Sequence, residues 1–210
     1  MKILLLGPSK RNLSIVDFLL EDENEVYQTK NCPSVEEIEK KSFDLILSSG
    51  YHKKIPLSIV KKFEKKIINI HASRLPYGKG IGTAYLSLLF PCPIGVSLHM
   101  VDENFDTGDV IAVRDINIDS FLKLHQREFY TLLVDEVNCL FIEYWPLIKS
   151  GAFDATENST EGRNISYFYR HENEKFMEIL PLGWDETVED IMKIGAKFSI
   201  SEAFWHSLDE

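Results

Sequence analysis

Short apolar segments alternate with segments of helical pattern through the first third of the chain. The apolar segments are each short enough for one buried strand and lie at residues 2–6, 25–28, 43–47 and 66–71. The intervening segments have helical spacing or helix-capping residues and lie at 11–20, 33–41 and 56–63. This alternation indicates a parallel sheet with helices on both faces. We therefore predict an α/β fold of the Rossmann-like, doubly wound kind with a mainly parallel sheet.

The second half of the chain predicts two more strands, at 94–101 and 110–118, and a long amphipathic helix at 124–148. A polar, helix-breaking segment at 151–162 is the best candidate for a boundary. We predict a catalytic domain over residues 1–150 and a small C-terminal extension over 151–210. The extension is expected to hold a strand at 164–170 and a helix at 187–198.

Charge and cysteine content exclude several classes of protein. The formal net charge of −10 and the sequence pI of about 5.1 argue against binding to nucleic acid or to anionic lipid. The sequence contains no apolar run of the roughly 18 to 20 residues that span a membrane, and its apolar start fits a first core strand better than a signal peptide. The 3 cysteines are widely spaced with no CxxC pair, which predicts reduced thiols, no metal site and a cytoplasmic protein.

Two segments place groups suited to carbonyl chemistry where predicted strands end. Residues 67–76 form a buried strand that delivers the Asn69 amide and the His71 imidazole at its C-terminal end. These side chains are two positions apart, so they point to the same side of the strand. Residues 102–108 form a polar loop that contains Asp106. An amide can donate to an oxyanion, an imidazole can carry a proton and a carboxylate can orient it, so the three suit a reaction at a carbonyl carbon.

The predicted fold would gather these groups on one rim. Ligands of doubly wound sheets bind outside the carboxyl ends of the strands, near the point where strand order reverses. The turn at 7–9, the loop at 48–55 and the segment at 69–80 all follow predicted strands. They are therefore expected to line a common site.

Each candidate also has a plainer interpretation. A single histidine at a strand end is usually structural, and only its combination with Asn69 and the acidic loop favours catalysis. His99 lies within a predicted strand and is expected to be packed or hydrogen-bonded, not catalytic. Ser73 is expected to have a turn role, and Asp102 and Glu103 could be ordinary loop carboxylates.

Two motifs, in their order and spacing, resemble one known family. The first is Asn69-Ile70-His71-Ala72-Ser73-Arg74-Leu75-Pro76, and the second is Gly95-Val96-Ser97-Leu98-His99-Met100-Val101-Asp102-Glu103-Asn104-Phe105-Asp106-Thr107-Gly108-Asp109-Val110-Ile111. Together they resemble the folate-dependent formyltransferases, which include glycinamide ribonucleotide transformylase, methionyl-tRNA formyltransferase and the nucleotide-sugar N-formyltransferases. Residues 44–56 are more weakly similar to the strand and loop that surround the pterin in that family. The resemblance covers residues 1 to about 150.

The resemblance implies a formyl donor and a set of site residues. The donor would be 10-formyltetrahydrofolate, whose formyl carbon is attacked by an amine of the acceptor. Asn69 and a protonated His71 would stabilise the oxyanion, and Asp106 would orient His71 and help to relay the proton. The resemblance also implies folate contacts from seven residues: Tyr51, His52, Lys53, Ile55, Val101, Asp102 and Glu103.

The identity of the acceptor depends on finer features. The tRNA-specific enzymes of the family carry a further nucleic-acid-binding domain and a basic surface, neither of which is expected here. The glycinamide ribonucleotide enzymes cradle a phosphate in a glycine-rich first loop, whereas the loop at 7–12 has one glycine and a proline, which lacks a backbone donor. The run Asp106-Thr107-Gly108-Asp109 is closer to the sugar enzymes. We expect a nucleotide-linked 4-amino-deoxysugar as acceptor, with glycinamide ribonucleotide as the alternative.

Two other functions remain open. A formyltetrahydrofolate hydrolase would use the same groups with water as acceptor, but such hydrolases carry an N-terminal regulatory domain, and the first core strand is expected from residue 2. A non-catalytic folate or nucleotide binder is disfavoured because all three polar groups are present.

The aromatic and cationic cluster at 167–171 suits either an ordinary strand or a surface for a base or a partner. In the sugar enzymes this region contributes to dimers, so a homodimer is expected.

Overall fold

A computed structural model describes residues 1–90, 92–159, 167–168, 174 and 177–197 of the chain. Its centre is a six-stranded sheet in the order β2-β1-β3-β4-β6-β7. The strands of this sheet are β1 (Lys2–Leu6), β2 (Glu25–Thr29), β3 (Leu45–Ser49), β4 (Ile67–His71), β6 (Gly95–Met100) and β7 (Val110–Asp115). A second, two-stranded sheet pairs β5 (Lys79–Gly80) with β8 (Tyr167–Phe168).

The sheet is parallel over its first four strands and antiparallel at β6 and β7. This confirms the predicted α/β fold with a mainly parallel sheet. The reversal has a consequence for the site, because an antiparallel β6 runs back past the C-terminal end of β4 and places Asn69 opposite His99.

The helices follow the predicted segments within a few residues. They are α1 (Leu13–Glu21), α2 (Val35–Lys41), α3 (Leu57–Lys62), α4 (Thr83–Leu89), α5 (Gln126–Ser150) and α6 (Val188–Lys197). Ser34 caps α2 as predicted, since its hydroxyl accepts from the Glu37 amide while the Glu37 carboxylate accepts from the Ser34 amide. The start of α1 differs from the prediction because residues Ser9–Asn12 form a 3₁₀ turn before the helix begins.

Alternating residues of the strands face two separate apolar layers. Ile3 and Leu5 of β1 belong to the larger core, which α1, α4 and α5 cover, whereas Leu4 and Leu6 belong to a smaller core under α2 and α3. The helices therefore lie on both faces of the sheet. This leaves the loops at the carboxyl ends of the strands free to form a site.

The described part of the C-terminal extension packs on the larger core. Val188 and Ile191 of α6 are fully buried in it, and Gly195 lies against the main chain of Leu89. Thr156 forms an isolated antiparallel bridge with Val110. The domain boundary at residue 150 stays a prediction, since the described residues beyond it share the core of those before it.

Some sequence predictions fall on residues outside the described set. The predicted strand at 164–170 is described only at Tyr167–Phe168. Residues 169–171 of the aromatic and cationic cluster at 167–171 lie outside the described residues. The last helix is described to Lys197, so its predicted end at 198 also lies outside. None of the described helices is long and apolar enough to cross a membrane.

Candidate active site

A cavity of about 470 Å³ opens at the carboxyl edge of the sheet. Its lining comes from the loops after β1, β3 and β4, from the loop at 101–106, and from Tyr130 of α5. The loop at 48–55 and the segment at 69–80 contribute to this lining as predicted, whereas after β1 the lining residue is Arg11 and not the predicted turn at 7–9. The volume falls within the roughly 300–1,000 Å³ range of small-molecule pockets. Asn69, His71 and Asp106 all line it.

The sheet and one loop bring these three side chains into contact. Asn69 and His71 point to the same side of β4, and the loop between β6 and β7 turns Asp106 back over them. The Asn69 amide donates to Asp106 Oδ1 at 3.2 Å, and His71 Nδ1 lies 3.8 Å from the same oxygen. The three side chains that the sequence motifs singled out therefore lie together.

His99 is a fourth member that the sequence reasoning treated as packed or hydrogen-bonded. Its ring is 1% exposed, lies edge-on to the His71 ring at 5.8 Å, and has Nε2 at 3.4 Å from Asp106 Oδ1. The Met100 carbonyl lies 2.7 Å from His99 Nδ1 and can only accept, so that nitrogen carries the proton. In the neutral ring Nε2 then accepts from the Asn69 amide at 3.0 Å. His99 thus fixes which way the Asn69 amide faces, and both hydrogens of that amide are engaged.

The tautomer of His71 follows from its neighbour in the same way. Nε2 lies 3.1 Å from the Gly78 carbonyl, which can only accept, so Nε2 carries the proton. In the neutral ring Nδ1 therefore has its lone pair on the side of Asp106. A proton taken up at Nδ1 would face that carboxylate directly.

Neighbouring charges and burial set the protonation states of His71 and Asp106. Burial lowers the pKa of His71 below its ordinary value and outweighs the opposing attraction of Asp106. Burial works to raise the pKa of Asp106, but attraction to the His71 and His99 rings, strongest when either ring takes up a proton, and the hydrogen bond from the Gly80 amide together hold it well below the usual range. The sequence-based expectation of a protonated His71 is thus corrected, because desolvation favours the neutral imidazole more than the carboxylate favours the charged one.

Asp106 itself sits on a tightly held loop. The Gly80 amide donates to Asp106 Oδ2 at 2.9 Å, and the Asp106 backbone adopts a left-handed φ of 55°. Asn158, from the C-terminal extension, donates to the main-chain oxygens of Asp106 at 2.9 Å and Gly108 at 3.1 Å. In the sequence Asn158 begins only an Asn-x-Ser/Thr triplet, a chance match that carries no weight, and nothing there predicted this role, because its partners are main-chain atoms about fifty residues away.

Lys79 is another residue that the sequence reasoning missed. Lys79 lies in β5 and is only 3% exposed. Burial lowers the pKa of its ammonium group, while the negative charges of Asp102 and Asp106 act to raise that pKa. A buried ammonium near two carboxylates offsets part of their negative charge. The only signal for Lys79 in the sequence is its position directly before Gly80, whose amide donates to Asp106.

Most of the predicted folate-binding residues line the cavity. Six of the seven do so: Tyr51, His52, Lys53, Ile55, Val101 and Asp102. Glu103 is not among the lining residues and its side chain is exposed. The Tyr51 hydroxyl accepts from the Cys32 amide at 3.3 Å, which ties the 51–55 loop to the loop after β2. The assignment of these residues to folate stays a prediction.

Three of the site's side chains also have the donor atoms of a metal site. Ligand atoms of His71, His99 and Asp106 all lie within 4.8 Å of one another. Two imidazoles and a carboxylate are ligands that a divalent transition metal accepts. Here, however, the Asn69 amide already donates to both His99 and Asp106.

A family model described as formyl transferase matches residues 9–131, which is more than half of the chain. The chain belongs to the formyl transferase family. The match covers β4, the loop after β6 and therefore all four residues of the cluster. The resemblance drawn from the two sequence motifs is thus confirmed.

One similar solved structure of this family is the formyltransferase PseJ from Anoxybacillus kamchatkensis, in complex with UDP-4,6-dideoxy-4-formamido-L-AltNAc and tetrahydrofolate. It is 33% identical, with a TM-score of 0.83, and the match covers 93% of this chain and 100% of that one. The fold of that formyltransferase is thus shared over most of this chain.

Curated relatives include two other kinds of formyl transferase. A methionyl-tRNA formyltransferase of Fusobacterium nucleatum is 28% identical over 184 residues, covering 84% of this chain and 56% of that protein. A dTDP-4-amino-4,6-dideoxyglucose formyltransferase of Mycobacterium bovis is 28% identical over 120 residues, covering 57% of this chain and 50% of that protein. The chain spans about half the length of these curated relatives.

Proposed function

We propose that this protein transfers the formyl group of 10-formyltetrahydrofolate to the amine of a nucleotide-linked 4-amino-deoxysugar. The observation that carries the proposal is the contact of Asn69, His71 and Asp106 at the end of a cavity of small-molecule size. A non-catalytic folate- or nucleotide-binding protein would not need a neutral imidazole, an ionised carboxylate and an oriented amide in contact with one another.

The proposed donor would lie against Tyr51, Ile55 and Val101, which line the cavity together with the rest of the 51–55 loop. When bound there, 10-formyltetrahydrofolate supplies an activated formyl carbon whose bond to N10 breaks as the bond to the acceptor nitrogen forms. The residues of this chain then handle one oxygen and one proton.

His71 is the proposed base. Its Nδ1 lone pair can take the proton that the acceptor amine loses, and the imidazolium that results is stabilised by Asp106 at 3.8 Å. Return of that proton to N10 of the departing folate balances the reaction and restores the neutral ring. Burial favours the neutral resting state from which this cycle begins.

Asn69 is the proposed oxyanion donor. One of its two amide hydrogens would leave its present acceptor, His99 Nε2 or Asp106 Oδ1, and turn to the oxygen of the formyl group as negative charge develops there. The hydrogen bond that remains keeps the amide in place. Loss of one such donor typically costs about 10²-fold or more in rate.

Support for a sugar nucleotide as acceptor comes from two directions. The similar PseJ structure holds a UDP-linked 4-formamido sugar, and its whole chain is covered by this one. The first loop here has Pro8 and forms a 3₁₀ turn at Ser9–Asn12, which offers fewer free backbone donors to a phosphate than a glycine-rich loop. A homodimer and a cytoplasmic location remain predictions.

A formyl-transfer assay tests the proposal. The purified protein is incubated with 10-formyltetrahydrofolate and a panel of UDP- and dTDP-linked amino sugars, with glycinamide ribonucleotide and an acceptor-free reaction alongside. We expect product with one 4-amino sugar nucleotide. Product with glycinamide ribonucleotide alone would reassign the acceptor, and equal folate turnover without any acceptor would reassign the protein as a hydrolase.

A further inference from the structure

The three-residue segment Gly78-Lys79-Gly80 contacts both His71 and Asp106. His71 Nε2 donates to the Gly78 carbonyl oxygen at 3.1 Å, and the Gly80 amide donates to Asp106 Oδ2 at 2.9 Å. Lys79 is the residue between these two contacts. The segment therefore fixes the tautomer of the imidazole at one end and the direction of the carboxylate at the other.

The two glycines leave Lys79 as the one side chain of this segment. Gly78 has a φ of +51° and Gly80 a φ of +93°, and side chains other than that of glycine rarely adopt either. A Cβ at Gly78 would also lie 2.2 Å from Ser73 Oγ. Apart from its main chain, the segment can thus be held in place only through Lys79.

The Lys79 side chain is buried near the charges of the loop that carries Asp106. Asp102 and Asp106 both attract its ammonium group. Within the described residues neither carboxylate forms an ion pair with Lys79 at contact distance, so the attraction acts through space. Lys79 is not one of the residues that line the cavity, so it is not placed to touch a ligand there.

Strand β8 holds the other edge of the segment. Lys79 pairs in parallel with Tyr167, and Gly80 pairs with Phe168. The main chain of the segment is thus bound to the C-terminal extension on one side and to Asp106 on the other. Because β8 fixes this edge, an outward movement of the Asp106 carboxylate would break its hydrogen bond with the Gly80 amide.

Two carboxylates of the same loop face the cavity. Asp102 and Asp106 both line it, and Asp102 Oδ1 accepts from the Thr107 hydroxyl at 2.6 Å and from the Asn104 amide at 3.0 Å. Like charges repel one another, and water in an open cavity favours the hydrated carboxylate. A buried ammonium that attracts both groups opposes this outward movement.

We propose that Lys79 is a positioning residue whose buried ammonium holds the Asp106 carboxylate inward, on the Gly80 amide and beside His71. This inference rests on the proposed function for the reaction that the geometry serves. Held there, Asp106 stabilises the imidazolium that forms when His71 takes the proton of the acceptor amine. A carboxylate turned toward water would be hydrated and farther from Nδ1, so the proton transfer would lose that stabilisation.

Replacement of Lys79 separates positioning from folding. Lys79→Met removes the charge but keeps a side chain of similar length, and exchange of a buried ion for an apolar group of similar volume is often neutral or stabilising. We therefore expect the unfolding midpoint to stay the same or rise while kcat falls about 10- to 100-fold. The KM for 10-formyltetrahydrofolate should change far less than kcat, since Lys79 does not line the cavity.

Two further variants serve as controls for the charge. Lys79→Arg keeps the positive charge and should recover most of the lost kcat. Lys66→Met removes an exposed lysine directly before β4, the strand that carries His71, and should behave as the wild type does. If Lys79→Met does not fold, the uncharged Lys79→Gln takes its place in every measurement.

Hydrogen exchange at the Gly80 amide, followed by NMR on the full chain, tests the contact without any reaction. In the wild type this amide donates to a charged oxygen. Loss of a hydrogen bond of that kind in Lys79→Met should speed its exchange by about 10- to 100-fold. Lys79→Arg and Lys66→Met should exchange as the wild type does, and an unchanged rate in Lys79→Met would refute the inference.

Formyl transfer and hydrogen exchange together distinguish this inference from the proposed function. Wild-type transfer to a sugar nucleotide, with kcat unchanged in Lys79→Met, would refute the role of Lys79 and leave the function standing. Faster Gly80 exchange in Lys79→Met, in a protein whose wild type transfers no formyl group to any acceptor, would refute the function and leave the hold of Lys79 on Asp106 standing. Parallel loss of stability and kcat, with no recovery in Lys79→Arg, would make Lys79 a structural residue and overturn the inference.

Discussion

Asn158 donates both of its amide hydrogens to main-chain oxygens of the catalytic loop, at 2.9 Å to Asp106 and 3.1 Å to Gly108. Asn158 is 7% exposed and belongs to the extension after α5, whereas Asp106 lies between β6 and β7. The extension therefore helps to hold the carboxylate of Asp106, which we propose takes part in catalysis and whose own backbone is in a left-handed conformation.

Replacement of Asn158 tests this relationship. Asn158→Ala leaves two carbonyls without their donor, so we expect unfolding free energy to fall by about 1–3 kcal/mol. We also expect kcat to fall more than folate affinity, because the Asp106 carboxylate loses its fixed position. The measurements are urea denaturation and steady-state kinetics. Glu157→Gln, at the exposed neighbouring position, is the control, and equal effects of the two changes would contradict a role for Asn158.

The catalytic cluster gives the second prediction. Asn69→Ala, His71→Ala and Asp106→Ala should each reduce formyl transfer by about 10²-fold or more while the protein remains folded. Tetrahydrofolate binding, measured by calorimetry, should survive better than turnover, since the predicted folate contacts lie on other residues. Near-normal turnover of His71→Ala would rule out His71 as the base. Equal loss of binding and turnover would point to a structural role.

The protonation state of His71 leads to a prediction about pH. Burial lowers the pKa of His71, and the proposed base is the neutral ring, so kcat/KM should fall on the acid side with an apparent pKa below the ordinary histidine pKa of about 6.5. The unfolded chain takes up a proton near 6.5 more readily than the folded one, so His71 should also destabilise the fold as pH drops below that value. A rate that falls instead as pH rises through neutrality would mean that the imidazolium is the active form.

Metal dependence can be tested directly. We expect exhaustive chelation to leave formyl transfer unchanged, because the proposed chemistry uses only Asn69, His71 and Asp106. Added Zn²⁺ should inhibit, since His71, His99 and Asp106 offer ligand atoms within 4.8 Å of one another. Activity lost on chelation and restored by one metal would overturn a metal-free reaction.

Alanine substitutions at Gly108 and Gly151 form a matched pair for a stability measurement. A Cβ at Gly108 would lie 2.1 Å from the Met100 carbonyl oxygen, whereas a Cβ at Gly151 meets nothing within 4 Å. Gly108→Ala should therefore cost about 1–3 kcal/mol through overpacking and disturb the Asp106 loop. Gly151→Ala should cost only about 1 kcal/mol, from its left-handed φ of +69°. Similar unfolding midpoints and equal kcat for the two variants would contradict this account.

The sequence by itself determined the layered fold and singled out Asn69, His71 and Asp106 as candidates for catalysis. Strands such as Lys2–Leu6 and Leu45–Ser49 consist largely of apolar residues, and burial on both sheet faces requires this composition whatever the neighbours are. Asn69 and His71 could be paired because a strand has a period of two. The motif around Asp106 was recognisable because the chemistry of the family needs a carboxylate in that loop.

Tertiary structure alone decided the remaining features. His99 joined the cluster because β6 pairs antiparallel with β4, a choice of direction that neither strand encodes locally. Arg11 and Asn158 became part of the site through contacts with Tyr130 and with the main chain of Asp106, more than fifty residues away in each case. The neutral state of His71 also depends on tertiary structure, because the cost of burying its charge is set by how the fold closes around it.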